Sequence, residues 1–153
     1  MKKSINNIDS LRGKYERIQS KIVPKPEEHI DPTCLLTFAY EYVGQDSEIS
    51  IETEEFTAIC PWTGMPDFGN LSINYVPAYQ CIELKSLKYY LLTYRDVGIV
   101  QEHAANRILK DLVSACEPER MEVLLDYVPR GGIYTSVSVR YSAAMSTEEQ
   151  SDR

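Results

Sequence analysis

The chain has 153 residues, of which 43% are hydrophobic and 25% charged: enough for one domain with its own core and too few for two comfortable ones. A net charge of -7 argues against sequence-independent nucleic-acid binding, which needs Lys and Arg to neutralise phosphates, and leaves room only for a small anion on a local basic patch. No run approaches the roughly 18 apolar residues that cross a bilayer, and "MKKSINNIDS" lacks the apolar middle of a secretory signal, so a cytoplasmic protein without membrane association is expected.

In chain order, residues 1–32 read as an N-terminal arm of mixed charge. One short helix is expected near "DSLRGKYERIQSK", before the prolines of "KIVPKPEEHIDP" interrupt any regular element. Residues 33–142 form the domain proper. "CLLTFAYEYV" (34–43) is expected as a strand, "GQDS" as a turn, and "EISIETEEF" (48–56) as a half-buried strand alternating Ile49, Ile51 and Thr53 against acids. After the turn "CPWTGMPD", the stretch "NLSINYVPA" (70–78) alternates again and ends at Pro77. The period then changes. Leu84, Leu87, Leu91 and Tyr94 mark one amphipathic helix, and Ala105, Ile108, Leu109, Leu112 and Cys116 a second, stopped by Pro118. "MEVLLDYVP" and "IYTSVSVRY", divided by "RGG", close the chain as a hairpin, and 143–153 is expected as a disordered tail. This order predicts an α+β domain, an antiparallel sheet with two helices on one face.

Four segments carry residues with chemistry. Cys60 and Asp67 flank a rigid turn with two prolines and a glycine; a free cysteine is most often a small buried hydrophobe, and an aspartate before a strand most often a turn former. Lys85 and Lys88 share a face at a helix start beside Ser86, a pattern that suits the phosphates of a dinucleotide and equally an ordinary solvated face. Glu102 stands where a carboxylate favours the helix dipole, and "PRGG" (129–132) is most simply a hairpin turn. Cys34, Cys60, Cys81 and Cys116 form no CxxC and the histidines are only His29 and His103, so reduced thiols and no metal site are expected.

Taken together, "FTAICPWTGMPDF", "ELKSLKYYL", a helical glutamate and "PRGGI", in this order from about Phe56 to Ile133, resemble the single-module NADPH-dependent 7-cyano-7-deazaguanine reductases of queuosine biosynthesis. Glu83 to Tyr89 satisfy every position of that family's hallmark motif. The resemblance implies a tunnelling fold of ββααββ order, assembled into a ring-shaped homo-oligomer with two rings stacked and sites between neighbouring subunits. It implies Cys60 as nucleophile forming a thioimide with the 7-deazapurine nitrile, and Asp67 as proton donor. Glu102 would anchor the base, lined by Ile82, Glu83 and Leu84, while Lys85, Ser86 and Lys88 would meet NADPH. The family's usual histidine before the anchoring glutamate is here Gln101, which can position substrate but cannot shuttle a proton. With Cys60 on a strand connection and Glu102 at the start of a later helix, these two are expected to meet from adjacent chains. Alternatives of the same fold are an amidinotransferase-like enzyme and a non-catalytic purine- or pterin-binding module.

Overall fold

A computed structural model describes residues 8–19 and 23–144. Within the arm, helix α1 spans Ile8–Gln19. Two single-turn 3₁₀ helices follow at Glu27–His29 and Pro32–Cys34. Then come β1 (Thr37–Ala39), β2 (Ile49–Ile59), β3 (Pro66–Val76), β4 (Gln80–Ile82), α2 (Leu84–Leu92), α3 (Gln101–Cys116), β5 (Arg120–Arg130) and β6 (Ile133–Ser142). The main sheet is antiparallel in the order β2-β3-β5-β6, with both helices inserted between its two hairpins, so the ββααββ order holds. The tail from 145 onward lies outside the described residues.

Two strands differ from their expected extent. The segment 34–43 yields only the three residues of β1, paired with β4 in a separate ribbon. The Asp31 side chain accepts hydrogen bonds from the Thr33 N–H and hydroxyl, which curls Pro32–Cys34 into a 3₁₀ turn; residues 41–45 form turns of their own. Conversely, β3 begins at Pro66 rather than at residue 70. Proline is tolerated there because it opens the strand, and pairing with β5 starts only at Gly69, so no ladder N–H is missed.

One sheet face builds the core. Phe56, Leu71, Ile73, Val123 and Leu125 meet Leu87, Tyr90, Tyr94, Ala105, Ile108 and Leu112 of the helical layer, all of them buried. Two tyrosines can be buried here because their hydroxyls are satisfied: Tyr90 bonds Tyr94 at 2.7 Å and donates to Asp111 at 2.8 Å, and Arg107 donates to the same carboxylate at 2.7 Å.

The link that positions the site is a crossing of chain segments at the end of β2. The Ile59 N–H donates to the Val97 carbonyl (2.9 Å) and the Ile99 N–H to the Ile59 carbonyl (3.1 Å), which ties the run into α3 against the last residue before Cys60. Gly98 makes this possible. A Cβ at that position would lie 2.8 Å from the Pro24 Cβ, closer than packed carbons allow.

Candidate active site

Cys60 directly follows β2 and both its backbone groups are fixed: its N–H donates to the Met65 carbonyl and its carbonyl accepts from Gly64, each at 2.8 Å. Gly64 takes φ +68, which its missing Cβ permits. The turn thus closes on itself, and the N–H groups of Trp62 and Thr63 are directed at the Cys60 sulfur. Cys60 is 4% exposed, more enclosed than its loop position suggested. Burial pushes its thiol up, but hydrogen bonds from the Thr63 hydroxyl, the Arg130 guanidinium and those two N–H groups outweigh this and bring it to about 7.

Asp67 sits on β3 facing the helices, 5% exposed, and pairs with Arg130 at the end of β5. Burial holds its carboxyl above the ordinary aspartate value, although Arg130 and the Gln101 side chain, which bonds it, both pull the other way. Gln101 and Glu102 open α3 at the crossing described above, with Glu102 exposed in the first turn. Tyr127 is buried beneath them: its hydroxyl donates to the Gln101 carbonyl at 3.5 Å, and burial followed by the Asp67 and Glu102 charges raises its pKa.

Cys60, Asp67, Gln101, Glu102 and Arg130 line one cleft of about 270 Å³ together with Pro61, Trp62, Val100, Val128, Ile133 and Thr135. The volume is at the low end for ligand pockets and suits one small flat heterocycle better than a whole dinucleotide. Its rim is apolar, with Trp62, Ile133 and Val128 at 85%, 73% and 58% exposure. Cys60 and Glu102 therefore belong to the same cleft of the same chain, which corrects the expectation that they meet from different chains.

Residues 82–88 do not line this cleft. Of these, Glu83, Lys85 and Ser86 line another hollow at the start of α2 together with Cys34, Leu36 and Tyr89. There the Glu83 carboxylate caps α2 by accepting from the N–H groups of Lys85 (3.0 Å) and Ser86 (2.7 Å). The Ser86 hydroxyl is turned inward, donating to the Glu83 carbonyl (2.7 Å) and accepting from the Leu36 N–H (3.0 Å). Ile82 is buried and Leu84 exposed. Lys85 is exposed, and Lys88 pairs with Glu55.

Arg130 is the site residue that sequence reasoning passed over. The signal was present in "PRGG", since a proline and two glycines at a strand end mark a bulge able to re-aim a side chain. Among the described residues no cluster of His, Cys, Asp and Glu could hold a metal, and no helix is long and apolar enough to cross a membrane.

The profile of a family described as QueF-like protein matches residues 66–146. A protein of Caldicellulosiruptor bescii named NADPH-dependent 7-cyano-7-deazaguanine reductase is 53% identical over 114 residues, 74% of this chain and 87% of that protein. One of the same name from Chlorobaculum tepidum is 53% identical over 105 residues, 69% of this chain and 90% of its own. The crystal structure of an apo archaeosine synthase QueF-Like superposes with a TM-score of 0.60 at 20% identity, covering 65% of this chain and 97% of that one, and shows the shared fold. The chain belongs to the QueF-like protein family.

Proposed function

We propose that this chain reduces the nitrile of 7-cyano-7-deazaguanine to the aminomethyl group with NADPH, in the service of queuosine tRNA modification. The observation that carries the reading is a cleft in which a thiol brought to about 7 lies with a buried carboxyl held above its usual range, beside an exposed glutamate. A nitrile carbon needs a soft nucleophile, and its nitrogen needs a proton as the carbon is attacked. The Cys60 thiolate adds to the carbon, one C–N π bond breaks, and the nitrogen takes the Asp67 proton, giving a thioimide. Glu102 accepts hydrogen bonds from the ring N–H and amino group of the base. NADPH, when bound, supplies the hydrides, two equivalents for each nitrile taken to the amine. When the C–S bond breaks, Cys60 leaves as a thiolate, which its low pKa favours.

The donors at the start of α2 fit part of such a cofactor. The first-turn N–H groups are already capped by Glu83 and the Ser86 hydroxyl is enclosed, so the ammonium groups of Lys85 and Lys88 are what a phosphate would meet, Lys88 on release from Glu55. Because this segment lies apart from the Cys60 cleft and both are bordered by exposed apolar side chains, we assign the complete site to a ring-shaped homo-oligomer, the Ile82–Leu84 strip of one subunit closing the cleft of its neighbour. An amidinotransferase-like enzyme would share the cysteine without consuming NADPH. Absorbance at the NADPH band, with and without the nitrile, separates these. Two NADPH oxidised per nitrile is expected, and no nitrile-dependent oxidation would refute the reading.

A further inference from the structure

We propose that Arg130 is a positioning residue whose single guanidinium, turned by a bulge in β5 onto both the Asp67 carboxyl and the Cys60 sulfur, holds Cys60 ready as a thiolate and couples its ionisation to that of Asp67. This rests on the reading of Cys60 as nucleophile and Asp67 as acid.

Along β5, Met121, Val123, Leu125 and Tyr127 face the core, so regular alternation would aim Pro129 at the helical side and Arg130 away from it. The pairing of β5 with β6 shifts register between Tyr127 and Arg130, and Gly131 and Gly132, at φ +56 and +79, close the hairpin. The bulge reverses the parity, and Arg130 instead reaches Asp67 on β3 and Cys60 beyond it. Pro129 suits a bulge because it has no N–H to offer the ladder.

Two acids in one desolvated cleft are costly to ionise together, and one guanidinium compensates one negative charge. The remaining contacts decide which acid takes it. Cys60 also receives the Thr63 hydroxyl and the N–H groups of Trp62 and Thr63, which favour its anion. Asp67 has Arg130 and the Gln101 side chain in favour of its anion and burial against it, with the buried Tyr127 of β5 beneath. The shared cation therefore favours the thiolate, and an ionised Asp67 competes with the thiolate for it. The proton from Cys60 passes to solvent and no other bond changes.

The test follows iodoacetamide alkylation of Cys60 against pH, read by peptide mass so that other cysteines do not contribute, in the parent protein, Arg130→Gln and Arg130→Lys. The parent should show a midpoint near 7, Arg130→Gln should move it towards the ordinary thiol value of 9.0, and Arg130→Lys, which keeps the charge, should lie nearer the parent. An unchanged midpoint in Arg130→Gln, or one equally high in Arg130→Lys, overturns the proposal. If Arg130→Gln does not fold, Asp67→Asn tests it from the other side: with the guanidinium no longer shared, the Cys60 midpoint should fall below that of the parent, and no fall overturns it. Alkylation involves neither nitrile nor NADPH. A responsive profile in a protein that does not reduce the nitrile would refute the proposed function and leave this inference standing; a working reductase with an unresponsive profile would do the reverse.

Discussion

Replacing Ser86 with alanine distinguishes a structural hydroxyl from a cofactor ligand. The side chain is 4% exposed and bridges α2 to the segment before β1, donating to the Glu83 carbonyl at 2.7 Å and accepting from the Leu36 N–H at 3.0 Å. Alanine removes both bonds. An orphaned buried N–H costs about 1–3 kcal/mol, and because Leu36 is 61% exposed water can reach this one, so the lower end applies. Alanine returns a few tenths of a kcal/mol in helix propensity, leaving a net loss of about 1 kcal/mol. For a domain of this size that is a fall in Tm of about 3–5 °C. Calorimetry on the variant should show this fall, with the KM for NADPH close to the parent's. An unchanged Tm together with a KM for NADPH raised several-fold would return Ser86 to the cofactor.

Asp67→Asn should still bind the base and lose about 10²- to 10⁴-fold in turnover, the usual effect of removing a positioned acid; turnover equal to the parent's would reduce Asp67 to a turn residue. Lys85→Ala should raise the KM for NADPH more than that for the nitrile, and the opposite pattern would move Lys85 to the base site. Refolding mixtures of inactive variants tests the assembly. Cys60→Ala with Glu102→Gln should stay inactive, since both residues line one chain's cleft, whereas Cys60→Ala with Leu84→Asp should recover activity in up to about one quarter of sites if the strip comes from a neighbour. Recovery in the first mixture, or none in a mass-verified second, would contradict that arrangement.

What was legible in the sequence was whatever a periodic pattern or a quoted motif carries. The alternation of Leu71, Ile73 and Tyr75 and the spacing of Leu87, Leu91 and Tyr94 gave the right elements because these side chains are the ones that become buried, while Leu84, counted in the same stripe, is exposed. The strand expected at 34–43 failed because a local bond, Asp31 to Thr33, outcompeted β propensity over its first residues. The site was legible as residue types and not as a place. That Cys60 and Gln101 are neighbours depends on the backbone crossing at Ile59 and Val97, far apart in sequence, and on a glycine admitting Pro24. The roles expected of Glu83 and Ser86 changed in emphasis once their polar atoms were found capping and bracing α2. Arg130 was missed because a "PRGG" turn is a sufficient explanation of itself until the bulge is seen to turn the arginine towards Asp67.

Attack of Cys60 on the nitrile is tested by the intact and peptide mass of the protein after incubation with 7-cyano-7-deazaguanine in the absence of NADPH. Addition without loss of atoms predicts a mass increase equal to one whole nitrile molecule per chain, on the peptide containing Cys60, absent in Cys60→Ala, and reversed on adding NADPH. The other thiols differ in setting: Cys116 is buried and pushed up to about 12, and Cys81 is also buried. An adduct on Cys34, Cys81 or Cys116 instead, or none on a protein that nonetheless oxidises NADPH with the nitrile, would contradict the account.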